Sequence, residues 1–226
     1  MANPPVLAEE LLHALLHNDT RETVSGDLLE EYRESRVPAA GRLRADLWYW
    51  RQVGGMWVRA YWWLVVPAVL FIVIHDVFNT FRAPSGASYL DGLPGLARAV
   101  MSPLGVLGPI GLAAAYGTWR TERWEGGFVA ALGTSVFVWV FMAVWGNATF
   151  YPFAQVMQSN PYWVQAWHWS TNRAGTPEET FLHWAYWDGV GALIIGGLAM
   201  FVASCLGGGL SGILLAIRTR RRARAS

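Results

Sequence analysis

Three histidines are the side chains of this sequence best suited to hold a metal ion or a tetrapyrrole: His75, His168 and His183. Neutral imidazole is a good ligand for iron, zinc and copper. A haem bound by two histidines needs a pair that face each other across helices, and His75 with His183 is the pair whose positions allow this. These three residues are the candidate cofactor-binding residues, and hydrogen bonding at a membrane boundary is the alternative we favour.

Asp76 directly follows His75, and ionisable residues inside a membrane are candidates for proton transfer because charge is costly there. The polar residues at 79–82 place this pair at the outer boundary, where that cost is small. No histidine belongs to a paired-ligand motif, so the sequence predicts no catalytic residue and no metal site. Cys205 is the only cysteine, which excludes an internal disulfide and a cysteine-based metal cluster.

The elements that must position these residues are four long stretches without Asp, Glu, Lys or Arg. They lie at 61–74, 99–119, 126–172 and 189–217, in a chain of 226 residues that is 54% hydrophobic. A helix needs about 20 mostly apolar residues to cross about 30 Å of hydrocarbon. The sequence therefore predicts an all-α integral membrane protein with four transmembrane helices, near residues 60–78, 99–119, 127–147 and 189–215.

The distribution of arginine predicts the orientation of the chain. All 17 basic residues are arginine, and they are concentrated before the first predicted span, between the second and third, and in the tail 218–226. Positive residues in short loops mark the cytoplasmic side. We expect a multi-pass protein of a bacterial cytoplasmic (inner) membrane with both termini in the cytoplasm. The basic tail is expected to contact anionic lipid and no nucleic acid.

Residues 1–56 predict a small cytoplasmic helical domain ahead of the membrane domain 57–217, with helix breaks at Asn18–Thr20 and Pro38. Its last helix is amphipathic and is expected to lie in the membrane interface, with a bend at Gly54–Gly55. Tryptophan favours headgroup depth because its ring is apolar and its N–H is polar. The expected membrane anchors are Trp48, Trp50, Trp57, Trp62 and Trp63.

Part of this domain resembles a known family. The string GDLLEEYRES at 26–35, Gly41 and the string LWYWRQV at 47–53 resemble the prefix domain of certain bacterial ABC-exporter permeases. The resemblance covers roughly residues 7–56 and implies a membrane-tethered cytoplasmic adaptor. Those permeases carry a large extracytoplasmic domain between their first two spans, whereas that connection here is only residues 79–98. No ATPase motif of the form GxxxxGKS or GxxxxGKT occurs, so neither transport nor ATP binding is implied.

The predicted outer loop 148–187 is rich in aromatic residues. Asn160–Pro161 predicts a helix start, and Trp163, Trp167 and Trp169 follow it closely. We interpret this segment as a surface or re-entrant helix. A wide exposed aromatic surface needs something to pack on, so these tryptophans are candidate partner-packing residues.

The last predicted span carries small residues at a regular spacing. Ser204, Gly208 and Gly212 recur every four residues, and Gly196 lies on a similar repeat further towards the N-terminus. Small residues at this spacing let two helix backbones approach closely. The four residues are candidate partner-packing residues, and packing within the four-helix bundle is the equal alternative.

These patterns together predict a non-catalytic accessory or scaffold subunit of a larger bacterial membrane complex. Its expected partners are other integral membrane subunits and the lipid bilayer. A photosynthetic reaction-centre and light-harvesting assembly is the specific expectation, with contacts to lipid, carotenoid or tetrapyrrole pigments, because tryptophan packs well on such molecules. The alternative is a four-span membrane redox protein or enzyme that binds haem or quinone through the outer-side histidines.

Overall fold

The N-terminal residues form short helices, and the first of them buries apolar side chains that recur at helical spacing. Helix α1 spans Val6–Leu15, α2 spans Asn18–Glu31 and α3 spans Val37–Ala40, with a π-helical turn at Tyr32–Arg36 before α3. The computed structural model of this protein describes residues 2–80, 95–159 and 178–225. Every regular element within these ranges is helical.

One of the two predicted helix breaks differs from the structure. The first break lies at Leu16–His17, and the His17 side chain, not one from Asn18–Thr20, caps α2 by accepting a hydrogen bond from the Asp19 N–H at 3.4 Å. Pro38 lies in the first turn of α3, which agrees with the prediction that it starts a third helix, and a π-helical turn lies between α2 and α3. Gly41 ends α3 with a φ of 77°, a conformation that glycine adopts without strain.

Four long helices follow. Helix α4 spans Arg42–Thr80, α5 spans Gly95–Thr121, α6 spans Trp124–Ser159 and α7 spans Glu178–Ala225. Within the described residues, three stretches are long and apolar enough to cross a membrane: Arg42–His75, Trp124–Thr149 and Leu193–Thr219. The prediction of an all-helical membrane protein is confirmed to that extent. The span predicted at 99–119 lies in α5, and its crossing of the membrane stays a prediction, as does the cytoplasmic position of the N-terminal domain.

Helix α4 contains both the predicted interfacial helix and the first predicted span, which the sequence predicted to be separate. It continues through Gly54 and Gly55 without interruption over 39 residues. The predicted interfacial helix and the first predicted span are therefore one helix. At a rise of 1.5 Å per residue its length is about 58 Å, nearly twice the thickness of the hydrocarbon layer.

The chain divides into two compact units. The first contains Met1–Val65, Ile110–Ser135 and Phe201–Ser226, so the N-terminal helices share a unit with adjoining parts of the long helices. Its core includes Leu12, Tyr32, Tyr49, Tyr61 and Ala130. The second unit contains Val66–Pro109 and Val136–Met200.

Helices α5 and α6 are joined by only two residues. Glu122 takes a φ of 54°, and the Thr121 hydroxyl lies 2.8 Å from the Gly117 carbonyl, to which it donates. The same hydroxyl oxygen accepts a hydrogen bond from the Arg123 N–H at 3.3 Å. The close contacts of Gly117 with Gly126 and Ala130 show that the two helices run antiparallel on either side of this turn.

Candidate partner-binding surfaces

The N-terminal helices are fixed to the start of α4 by a buried tyrosine. The Tyr32 hydroxyl donates to Asp46 Oδ1 at 2.5 Å and lies 3.2 Å from the Asn3 carbonyl, and its ring packs edge-on against Tyr49 at 5.9 Å. Burial raises the pKa of Tyr32, and the hydrogen bond and negative charge of Asp46 raise it further, while the Arg42 charge opposes this. The hydroxyl therefore stays protonated and keeps donating at neutral pH.

Arginine side chains strengthen the same attachment. Arg33 donates from Nη2 to Asn3 Oδ1 at 2.7 Å and from Nε to the Ala2 carbonyl at 3.1 Å. The Arg36 guanidinium lies 4.8 Å from the centre of the Trp48 ring, within the range of a cation–π contact. Trp48 thus packs against the helices that precede α4, a role that cannot be inferred from its residue type alone.

The other predicted membrane anchors have different surroundings. Trp50, Trp62 and Trp63 are exposed, and Trp63 packs edge-on against Tyr116 at 5.3 Å. Trp57 points into the chain, and its ring contacts Gly133 so closely that no Cβ fits at that position. Its Nε1 is buried and has no hydrogen-bond partner among the described residues, so this N–H is not available to lipid headgroups.

The small-residue ridge of α7, defined as Ser204, Gly208 and Gly212, packs within the chain. The Ser204 and Ser135 hydroxyls are 2.7 Å apart and both residues are buried. A Cβ at Gly208 would lie 3.0 Å from Phe128 Cβ, and one at Gly212 would lie 2.9 Å from Trp124 Cβ. The structure therefore shows the second of the two alternatives, contact with α6 of the same chain.

Sequence reasoning missed a second small-residue contact beside this ridge. A Cβ at Gly127 would lie 2.6 Å from the Ala114 carbonyl oxygen, and Thr118 donates to Ser211 at 2.8 Å between α5 and α7. Glycine and hydroxyl residues thus join α5, α6 and α7 at the same height along the three helices. The signal for it was the Gly126–Gly127 pair just after the α5–α6 turn.

Gly196 differs from the ridge, because nothing lies within 4 Å of the position of its Cβ. Its neighbour Gly197 contacts Trp139 instead, and the Trp139 Nε1 donates to the Leu193 carbonyl at 3.0 Å. Both contacts join α6 to α7 within the second unit. Gly196 thus remains open for contact with another molecule.

The opposite face of α7 carries large aliphatic side chains that the chain leaves exposed. We call it the outer face of α7. Its members in the first unit are Val202, Leu206, Leu210, Ile213, Leu214 and Ile217. Only 17% of the most apolar stretch of α7 is buried within the chain, compared with 39% for α6.

The structure describes only part of the predicted cofactor site. The His75 ring stacks on Phe71 with the ring centres 5.6 Å apart, and Phe71 in turn lies against Gly105. His168 and the three loop tryptophans Trp163, Trp167 and Trp169 lie outside the described residues, and so does the side chain of His183. The expected pairing of His75 with His183 therefore stays a prediction.

No protein-family model, curated protein or solved structure matches this chain.

Proposed function

We propose that this chain is a non-catalytic accessory subunit that stabilises a larger membrane complex through its exposed helix faces. The contrast between the two faces of α7 carries this proposal. One face is held to α6 by hydroxyl contacts and close backbone approach, while the side chains of the outer face are exposed among the described residues. A helix fixed on one side and covered by large aliphatic residues on the other is well suited to hold a neighbouring subunit.

The polar groups inside the long helices support the same proposal because they act in packing. Thr118 with Ser211, and Ser135 with Ser204, form hydrogen bonds between helices. Such bonds contribute about 0.6 kcal/mol each on average in membranes and hold helices in a fixed arrangement. They give the subunit a defined shape to present to a partner.

We place the subunit in a bacterial inner membrane, with the N-terminal domain and the basic tail in the cytoplasm. Arginine near the ends of α4, α5 and α7 supports this orientation. The specific assembly we propose is a pigment-bearing one, such as a photosynthetic reaction-centre and light-harvesting complex. The 14 tryptophans of the chain support it, because indole rings pack against tetrapyrroles and carotenoids.

Affinity purification of the chain from native membranes in a mild detergent tests this function. We expect larger membrane subunits to co-purify in fixed stoichiometry, with pigment absorption in the complex and none in the isolated chain. Changing Leu206 and Leu210 to alanine removes side chains from the outer face of α7 and should lower the yield of partners while the isolated chain stays folded. The matched control changes Leu112, which is as exposed but belongs to α5.

Two results would contradict the proposal. One is a chain that purifies as a monomer from its native membrane under conditions that preserve other complexes. The other is a Soret band on the isolated chain that disappears in the His75→Ala variant. The second result would establish the redox alternative, because it requires a tetrapyrrole ligated by the chain itself.

A further inference from the structure

Aromatic side chains of α4 and α5 meet at one level of the first unit. The Trp63 and Tyr116 rings pack edge-on with their centres 5.3 Å apart, and the Trp119 ring lies 5.8 Å from Tyr116 on the same helix. Tyr61 is buried beside them, with its ring centre 6.0 Å from that of Tyr116. Trp63 and Trp119 are exposed. We call Trp63, Tyr116 and Trp119 the aromatic cluster.

An arginine lies one turn beyond this cluster on each of the two helices. Stepping back along α4 from Trp63 to Tyr61 moves the contacts forward along α5 from Tyr116 to Arg120, so the helices are antiparallel here. Arg59 precedes Trp63 by four residues, and Arg120 follows Tyr116 by four. Both arginines therefore lie about 6 Å from the cluster along the helix axes, in the same direction.

The charges of these two arginines are not neutralised by the described part of the chain. Both side chains are exposed, and neither forms an ion pair among the described residues. Glu125 pairs with Arg123 at 3.1 Å, and Glu122 is exposed in the turn. Helix α4 carries no Asp or Glu at 47–75. A pair of exposed cations on adjacent helices favours an anionic ligand.

One of the two guanidinium groups is already held in place. The Arg120 guanidinium carbon lies 5.9 Å from the centre of the buried Tyr61 ring, within the range of a cation–π contact. This contact restricts the side chain before any ligand arrives, so less conformational entropy is lost on binding.

The level of the arginines indicates what kind of anion is present there. The charge-free stretch 61–74 of α4 begins just after Arg59, and the charge-free stretch 99–119 of α5 ends just before Arg120. Lipid headgroups lie immediately outside the hydrocarbon, and tryptophan is enriched at the same depth. In the proposed orientation this boundary is the cytoplasmic one, where anionic lipids supply the negative charge.

We propose that Arg59 and Arg120 bind the phosphate of one anionic phospholipid, whose glycerol and upper acyl chains cover the aromatic cluster. Arginine suits this role because its guanidinium can donate two parallel hydrogen bonds to phosphate oxygens. A headgroup of net negative charge is preferred to phosphatidylcholine, whose quaternary amine brings a positive charge towards the same arginines. The site rests on the proposed membrane placement of α4 and α5, and it does not depend on the accessory role.

Native mass spectrometry of the delipidated full chain in detergent tests this site. The chain is titrated with phosphatidylglycerol, or with phosphatidylcholine of the same acyl chains. We expect one phosphatidylglycerol to bind in preference to phosphatidylcholine. The double variant Arg59→Gln, Arg120→Gln should bind it about 30-fold more weakly, since each arginine next to an anionic headgroup contributes about fivefold in affinity.

The matched control is the double variant Arg44→Gln, Arg51→Gln. It removes the same charge from two exposed positions of α4 that lie away from the aromatic cluster. We expect it to bind phosphatidylglycerol as tightly as the original chain does. Circular dichroism checks that both double variants keep the helix content of the original chain.

Several outcomes would overturn the inference. Equal affinity for the two lipids, or equal losses in the two double variants, would show that no specific lipid site exists. Binding of glycerol phosphate as tight as that of the lipid would show a site for free phosphate. A dimer that is lost in the Arg59→Gln, Arg120→Gln variant would show that a second copy occupies the site.

The complex purified from native membranes provides a second measurement. We expect anionic phospholipid to be enriched in it and to be depleted when the chain carries Arg59→Gln and Arg120→Gln. Lipid bound to the isolated chain but absent from the complex would show that a partner's acidic residues take the site, and would overturn the inference. Lipid binding is measured on the chain itself, so its failure leaves the accessory role intact, and a failure to co-purify with partners leaves the lipid site intact.

Discussion

The start of α4 and the end of α7 belong to the same unit, and each has one inward and one outward face, yet their inward faces are built differently. Helix α4 uses large rings: Tyr49 and Tyr61 are buried, and Trp57 packs against the same core. Helix α7 uses the ridge of Ser204, Gly208 and Gly212, with hydroxyl contacts across the interface.

This difference indicates where each helix tolerates substitution. Close backbone approach leaves no space for a side chain, so a glycine contact is lost when one carbon atom is added. An aromatic contact spreads over many atoms, and removing one polar atom from it changes little. The structure therefore predicts large effects of small changes at the glycine contacts and small effects at the tyrosine hydroxyls of α4.

The largest expected effect is at Gly127, where α5, α6 and α7 meet. The Gly127→Val substitution places a Cβ within 2.6 Å of the Ala114 carbonyl oxygen, a backbone atom that cannot move aside. We expect a loss of about 3 kcal/mol in the free energy of unfolding. Unfolding in mixed micelles, followed by circular dichroism, measures it. Gly209→Val is the control, because nothing lies within 4 Å of that Cβ position; equal losses in the two variants would refute the packing shown here.

The attachment of α4 to the N-terminal helices comes next. Tyr32→Phe removes a buried hydrogen bond to a carboxylate, and we expect a loss of about 2 kcal/mol. The folded-state pKa of Tyr32 is raised above its ordinary value near 10. Its contribution to stability is therefore complete below pH 10 and is lost as the pH rises through the folded-state pKa.

Denaturation measured at about pH 9 and at higher pH checks this dependence. The stability difference between the original protein and Tyr32→Phe should shrink as the pH rises. A constant difference across that range would show that the hydroxyl proton has no part in holding α4.

A smaller effect is expected for the hydroxyl contact on the inward face of α7. Ser135 and Ser204 lie 2.7 Å apart, so a double-mutant cycle with alanine at both positions isolates their interaction. We expect a coupling energy of about 0.6 kcal/mol, and no more than about 1.7 kcal/mol. Strictly additive effects would mean that the two hydroxyls do not bond to each other.

The smallest expected effect is at the buried Tyr61 hydroxyl of α4, which has no hydrogen-bond partner among the described residues. Tyr61→Phe keeps the ring and its contacts with Trp57 and Tyr116. We expect the free energy of unfolding to stay within about 0.5 kcal/mol or to rise, because an unpaired buried hydroxyl is removed. A clear loss of stability would show that this hydroxyl does have a partner.

Sequence reasoning anticipated the helical class and the regular spacing of small residues in α7, because both are periodic features of a single helix. It did not anticipate that α6 of the same chain would pack against the ridge. That depends on Phe128 and Trp124, which lie far away in the sequence. The same limit applies to Trp57, since its residue type fits a headgroup anchor equally well until Gly133 opposite it is known.

The continuity of α4 was missed for a different reason. Gly54 and Gly55 lower helix propensity, which favours a bend in an isolated segment. In the folded chain, Tyr49 and Val53 before the pair and Tyr61 and Leu64 after it are all buried in one core. Tertiary packing on both sides of the glycines therefore overrides their local preference.

The two-residue turn between α5 and α6 has a consequence for how the protein is made. Arg120, Glu122, Arg123 and Glu125 surround the turn with charge, which resists transfer through the bilayer. A connection of two residues is too short for one helix to cross the membrane while its neighbour stays outside it. In the four-span topology that we propose, α5 and α6 therefore integrate as a single hairpin whose charged tip stays on the cytoplasmic side.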